Sequence, residues 1–202
     1  MSGRKKLGIL ISGRGSNMEA IVAATQNESY PARVEVVISD NREAAGLETA
    51  KSNRIKTVAI ERRSGASRQD HEAAIVKALD GAGIDLICLA GYMRILSKAF
   101  TERYEGRLIN IHPSLLPEYK GLDTHARVIA DKGTTHGCTV HIVNDEMDGG
   151  TILAQTSVPV FEDDTETILA GRVLAQEHKL YQKVIREIFE GRFAHLGMVT
   201  DG

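Results

Sequence analysis

Tryptophan is absent from the chain, and aromatic residues make up only 4% of it. That leaves too few flat side chains for a platform on which single-stranded bases could stack. Charge of one sign is also missing: Lys+Arg 25 against Asp+Glu 27 gives a net charge of −2. A dedicated nucleic-acid binder needs a basic face to neutralise phosphates, so that class is excluded, although a local basic pocket is not. The two cysteines, Cys88 and Cys138, are too few for a disulfide scaffold or a four-thiolate zinc site. Cys88 lies in the apolar run Ile87-Cys88-Leu89-Ala90 and reads as a small packed hydrophobe. No apolar run approaches the ~18 residues of a membrane span. The basic start, Met1-Ser2-Gly3-Arg4-Lys5-Lys6, imitates a signal peptide, but the apolar stretch after it is short and is broken by Gly13-Arg14-Gly15. The expected compartment is the cytoplasm, with no membrane and no nucleic acid as partner.

What is present is ordinary globular composition: 202 residues, 42% hydrophobic and 26% charged. A chain of this size hides roughly 70% of the surface its unfolded form exposes, and it is expected to form one domain over residues 1–202. Short β-branched runs alternate with longer amphipathic ones. Strands are expected at residues 7–12, 34–39, 57–60, 85–90 and 107–111, and helices at 17–25, 43–53, 68–81 and 97–104. Ser16 or Asn17 is available as N-cap of the first helix, and Ala73, Ile75, Val76 and Leu79 share a side of the third. This β-α-β-α rhythm predicts an α/β fold with a mostly parallel sheet covered by helices on both faces. The second half differs. A loop with Pro113, Pro117 and Gly121 precedes a helix at 124–132, then strands at 138–143 and 151–160, then a long amphipathic helix at 165–190 for which Asp164 is a candidate N-cap.

Four segments carry chemistry. Ser12-Gly13-Arg14-Gly15-Ser16-Asn17 joins the first strand to the first helix. Its glycines allow close backbone approach, and a helix start suits an anion. Met18 stands where the third glycine of a dinucleotide fingerprint would be, and there is no Walker Lys-Ser/Thr pair. A single phosphate and a plain strand-to-helix turn fit this loop equally well. Asn110-Ile111-His112-Pro113 closes the fifth strand, with Asn110 and His112 on one face. Ligands of open α/β sheets bind at such carboxyl ends, where an amide and an imidazole can stabilise an oxyanion and move protons. Taken alone, the pair reads first as a polar strand terminus with a hydrogen-bonded histidine. In the acidic loop Asn144-Asp145-Glu146-Met147-Asp148-Gly149-Gly150, Asp145 and Glu146 read as solvated turn residues, while Asp148, before two glycines, can turn inward towards a histidine. The spacing is not that of an EF-hand, and His71, His125, His136, His141, His178 and His195 show no metal-ligand spacing. Finally, Leu89-Ala90-Gly91-Tyr92-Met93-Arg94-Ile95-Leu96 carries a strand into an apolar loop suited to a flat ligand or to the core.

In combination these segments are far more specific. Ile11 to Asn17, Leu89 to Leu96, Asn110-Ile111-His112-Pro113-Ser114-Leu115-Leu116-Pro117 and His136-Gly137-Cys138-Thr139-Val140-His141 running on to Asp148-Gly149-Gly150 occur in one order. The chain resembles the folate-dependent phosphoribosylglycinamide formyltransferases over nearly its whole length, from Leu7 to about Phe193. The resemblance implies a doubly wound seven-stranded sheet and transfer of a formyl group from 10-formyltetrahydrofolate, a co-substrate, to the amine of glycinamide ribonucleotide. It implies a catalytic trio at Asn110, His112 and Asp148, nucleotide contacts at Gly15, Ser16, Asn17 and Glu177, and folate contacts at Arg68, Met93, Arg94, Ile95, Leu96, Asn110, Asn144, Asp145, Glu146, Met147 and Asp148. Residues about 1–100 would form the phosphate side and about 101–202 the folate and catalytic side. Arg14 departs from the asparagine often found at that place in the loop.

The chemistry implied is direct. The amine attacks the formyl carbon, a protonated His112 and the Asn110 amide donate to the oxyanion, and Asp148 favours the imidazolium and relays a proton through water. No metal is required. Sister enzymes that formylate initiator tRNA or hydrolyse formyl-folate carry added domains for which 202 residues leave no room. Acyl transfer through Cys138 is a weaker alternative for want of an adjacent base. A nicotinamide-dependent oxidoreductase using Asp40 after the second strand, or a non-catalytic phosphate-binding module, are readings from other classes. The expected assembly is a monomer or homodimer.

Overall fold

The apolar run after the basic N-terminus forms β1 (Lys5–Ile11), the strand from which the sheet grows in both directions. This computed structural model describes residues 3–62, 65 and 67–198; Met1 and Ser2 of the basic start therefore lie outside the described residues. On one side β1 pairs in parallel with β2 (Ala32–Ser39), which pairs with β3 (Lys56–Ala59). On the other it pairs with β4 (Leu86–Leu89), which pairs with β5 (Leu108–His112). An antiparallel pair, β6 (Thr135–Ile142) and β7 (Ile152–Pro159), completes the seven-stranded order β3-β2-β1-β4-β5-β6-β7. The expected doubly wound, mostly parallel sheet of seven strands is the one that forms. Its winding reverses between β1 and β4, the switch point where open sheets bind ligands.

Period-two alternation splits the core into two. Leu7, Ile9 and Ile11 face one side with α1 (Ser16–Thr25), α2 (Ala45–Ser52), α5 (Thr124–Ala130) and α6 (Glu166–Phe189). Leu10, Val36 and Ile38 face the other with α3 (Arg68–Ala82) and α4 (Lys98–Arg103). Along α6 the buried stripe runs Leu169, Val173, Glu177, Leu180, Tyr181, Val184, Ile185, Ile188, the three-and-four spacing of a core-facing helix. One carboxylate, Glu177, occupies a register that apolar residues fill elsewhere. The hydroxyl of Tyr181, one turn on, lies 3.0 Å from the carbonyl oxygen of Leu89 and 3.1 Å from that of Ile109, tying α6 to the end of β4 and to β5.

Several local expectations are corrected. The N-cap of α1 is Gly15 at φ 77°, not Ser16 or Asn17, and no side chain caps the turn. The cap of α6 is Thr165, whose hydroxyl accepts from the Ile168 N–H; Asp164 instead takes both Nη atoms of Arg172 at 2.6 and 2.7 Å, which holds its carboxyl down to about 2. On α3 the buried side is His71, Glu72, Ile75 and Leu79, and Ala73 is exposed, because the helix rolls to bring Glu72 under the start of α4. β6 begins at Thr135, ahead of the expected residue 138, since Gly137 and His136 continue the ladder with β7.

The turn from β6 to β7 has no room for a side chain at Gly150, where a Cβ would lie 1.7 Å from the Ile142 carbonyl oxygen. Gly150→Ala is therefore expected to lower the unfolding free energy by about 1–3 kcal/mol, the usual cost of overpacking. Gly171, in α6 with nothing within 4 Å of an added Cβ, provides the contrast. Gly171→Ala should raise stability by about 0.5–1 kcal/mol. Urea titrations of the two variants check both signs.

Candidate active site

β4 and β5 end side by side, with Leu89 in register with Asn110. A cavity of about 530 Å³ opens at these ends, a size that suits a small-molecule ligand. Asn110 and His112 project from the same face of β5, and both line the cavity. β6 adds His141 directly across from Asn110. Asp148 arrives from the loop after β6 with φ 49°, and its Oδ2 accepts from the Gly121 N–H at 2.9 Å. Oδ2 lies 3.5 Å from His112 Nδ1, and Oδ1 lies 3.7 Å from His141 Nε2. Three side chains expected to act together thus converge, and His141 joins them. The sequence held a signal for His141, since it shares a strand face with Thr139, but only the β5–β6 register puts it beside Asn110.

The hydrogen bonds assign roles to the ring nitrogens. A carbonyl oxygen only accepts, so His112 donates from Nε2 to the Tyr119 carbonyl at 3.0 Å, which leaves Nδ1 for Asp148 and the cavity. A second histidine pair flanks the site. His136 Nε2 and His125 Nδ1 are 3.1 Å apart, with rings edge to face, and His125 lines the cavity. Burial, reinforced by the neighbouring His125 and His112, pushes His136 down to about 4.

At the opposite wall Asn17, in the first turn of α1, meets Glu177 of α6: Nδ2 donates to Oε2 at 2.6 Å. Both side chains are buried and both line the cavity. Burial raises the Glu177 carboxyl above its ordinary range, and the Asn17 hydrogen bond opposes that rise. Among the described residues, no donor meets the buried Asn17 Oδ1. Gly15 and Ser16 sit beside Asn17 at the uncapped head of α1 but do not themselves line the cavity.

The mouth is apolar. Met93, Ile95, Leu122 and Met147 are exposed large hydrophobics on its rim, and Arg94, Leu96, Asn144, Asp145 and Glu146 also line it. Asp145 and Glu146 turn outward to Lys98 at 3.8 Å and Lys120 at 2.8 Å. Arg68 is not brought to this cavity; it lines a neighbouring one of about 260 Å³ that shares Met93, Arg94, Ile95 and Leu96. Three polar contacts that sequence reasoning missed hold the loop after β4. Ser12 Oγ accepts from Met93 N–H at 2.8 Å, Asp40 takes Arg94 Nε at 2.5 Å, and the Glu72 carboxylate accepts from the N–H and hydroxyl of Ser97. Asp40 Oδ2 is thereby committed to Arg94 and Oδ1 is buried, so the carboxylate serves as counter-ion of Arg94 and not as an exposed ribose acceptor. Cys138 is fully buried with its thiol pushed up to about 12 by burial, so it offers no thiolate for acyl transfer. Among the described residues no group of three or more His, Cys, Asp or Glu is placed to hold a metal ion, and no helix is long and apolar enough to cross a membrane.

Comparison with known proteins gives one family. The formyl transferase profile matches residues 5–185. Phosphoribosylglycinamide formyltransferase of Haemophilus influenzae is 42% identical over 188 residues, covering 93% of this chain and 89% of that protein. A crystal structure of phosphoribosylglycinamide formyltransferase from Brucella melitensis superposes with TM-score 0.88 at 49% identity, covering 92% of this chain and 95% of that one. Glycinamide ribonucleotide transformylase 1 from Symbiobacterium toebii gives TM-score 0.92 at 40% identity, over 95% and 91% of the two chains.

The buried His136 makes stability pH-dependent. Its folded-state value of about 4 lies below the ordinary 6.5, so the unfolded chain binds more protons between those limits. Stability contributed by the neutral ring is present above pH 6.5 and is lost as pH falls towards 4. Urea midpoints measured from pH 7.5 to 5 should fall, and His136→Gln should flatten the slope. An equal slope in the variant would assign the effect to other groups.

Proposed function

The chain belongs to the formyl transferase family, and from that premise we propose that it transfers the formyl group of 10-formyltetrahydrofolate to the amine of glycinamide ribonucleotide. The observation that carries the reading is the convergence of Asn110, His112 and Asp148 on a cavity whose far wall holds the Asn17–Glu177 pair. The nucleotide is assigned to the α1 side, with its phosphate at Gly15, Ser16 and Asn17 and its ribose or amine at Glu177. The folate is assigned to the apolar mouth, along Met93 to Leu96 and residues 144–148, with Arg68 reached across the shared loop. The phosphate side then draws chiefly on residues 1–100 and the folate and catalytic side on 101–202, with Glu177 and the Met93–Leu96 loop crossing that division. In this reading the enzyme works in the cytoplasm, as a monomer or homodimer, on two small molecules.

The neutral amine attacks the formyl carbon, and the carbonyl electrons move to oxygen. The Asn110 amide and Nδ1–H of a protonated His112 donate to that oxyanion; Nε2–H is already committed to Tyr119. Asp148, 3.5 Å from Nδ1, is the counter-charge beside that ring. Collapse of the intermediate breaks the bond from the formyl carbon to the folate nitrogen. The proton lost by the attacking nitrogen reaches the leaving nitrogen through Asp148 and water. Every step is made by the chain's own side chains and water.

Supplying 10-formyltetrahydrofolate with glycinamide ribonucleotide, and separately with water alone, tests the reading. Formylated nucleotide and tetrahydrofolate should appear in equal amounts, and equal turnover without the nucleotide would make the enzyme a hydrolase. His112→Ala should lower kcat by at least the about 10²–10³ typical of losing one oxyanion donor. Asp148→Asn should lower kcat by orders of magnitude with both KM values within a few fold, and the double variant should lose less than the product of the two effects. Multiplying effects would show that the pair does not act as a unit.

A further inference from the structure

His141 takes no part in the mechanism above, yet it is buried between two groups that do. Its Nδ1 lies 3.0 Å from the carbonyl oxygen of Ile142, which can only accept, so Nδ1 carries the proton. Nε2 of the neutral ring is then a bare acceptor. The Asn110 amide nitrogen stands 3.2 Å away and Asp148 Oδ1 3.7 Å away. Only a donor satisfies that lone pair, so the Asn110 amide must present its NH₂ group, and not its oxygen, to His141.

We infer that His141 is a positioning residue: as the neutral ring protonated on Nδ1, it accepts one hydrogen of the Asn110 amide and leaves the second for the formyl oxygen. The inference rests on the reaction proposed above for its consequence, but not for its geometry. With the proton on Nε2, two donors would oppose each other at 3.2 Å and the amide would have to turn over, moving its donor away. A proton on both nitrogens would also give Asp148 a second cation to serve, in competition with His112. The charged or titratable groups facing His141 are Asp148 from the acidic loop, His112 from β5 and Lys120 from the loop after β5; the hydrogen bond to the Ile142 carbonyl and the carboxylate favour the charged ring, whereas burial, the largest influence, and the two bases oppose it, and the net effect lowers the ring below its ordinary range. The neutral state is thus the one the surroundings select.

The first test needs no substrate. In protein carrying ¹⁵N-labelled histidine, the His141 resonances at neutral pH should show Nδ1 protonated and Nε2 bare. An Nε2–H tautomer or a charged ring overturns the inference, and because the measurement is made on the free enzyme it stands whatever the reaction proves to be. The second test is kinetic. His141→Gln can return an amide oxygen to the place of Nε2, whereas His141→Asn keeps only a group near Nδ1. His141→Asn should lower kcat about tenfold to a hundredfold, below the about 10²–10³ of losing a donor outright, with both KM values within about threefold. His141→Gln should recover most of that loss, and His141→Asn added to Asn110→Ala should cost nothing further. Losses that multiply in the double variant, or a Gln variant as slow as the Asn variant, would overturn the positioning role.

Discussion

The antiparallel pairing of β6 against β5 is the contact on which the site depends. A parallel strand in that place would have needed a crossover connection and would not have ended beside Leu108, where the acidic loop begins. The reversed direction sets Asn110 against His141 and His112 against Thr139 and starts the acidic loop beside Leu108, from where it folds back to bring Asp148 to His112. Gly150 permits that return because it has no side chain to strike the Ile142 carbonyl. Asp148 then reaches two histidines at once. Thr139 continues the same logic on the other side: its hydroxyl donates to the Ser114 carbonyl at 2.6 Å and accepts from Leu116 N–H at 3.0 Å, holding the loop that supplies Tyr119.

The opposite wall is set by a compromise on α6. A carboxylate in a buried stripe costs several kcal/mol if it stays charged and unpaired. Asn17 meets part of that cost with one short hydrogen bond, and burial leaves the Glu177 carboxyl poised above its ordinary range. Among the described residues the Asn17 oxygen has no partner. An arrangement that a stable core would avoid is retained at the wall of the cavity, where a bound molecule with donors of its own would complete it.

The loop after β4 shows how an apolar, exposed segment can still have a defined shape. Met93 and Ile95 stand out in solvent, while Ser12, Asp40 and Glu72 hold the backbone and Arg94 from three different elements. These anchors come from the ends of β1 and β2 and from α3, so the rim inherits the rigidity of the sheet. They also explain why an aspartate at the end of β2, suggestive of a dinucleotide site when read alone, serves here as the counter-ion of Arg94.

The order of strands and helices, the face shared by Asn110 and His112, and the inward turn of Asp148 were all legible in the chain. Each rests on a local rule: hydrophobic period, strand alternation, or glycines flanking an acidic residue. The motifs in their order also pointed to the family. What the chain alone left open was everything that depends on two segments meeting. The caps of α1 and α6 fell to Gly15 and Thr165 because Asn17 and Asp164 were drawn to Glu177 and Arg172. Arg68, at the start of α3, stood apart from the main cavity although Met93 to Leu96, with which it lines the smaller one, did not. His141 looked like one histidine among seven until the register of β5 and β6 placed its bare nitrogen against Asn110. Local periodicity acts over a few residues and can be read along the chain; hydrogen-bond partners and strand register are chosen by competition across the whole fold, and only the folded chain decides them.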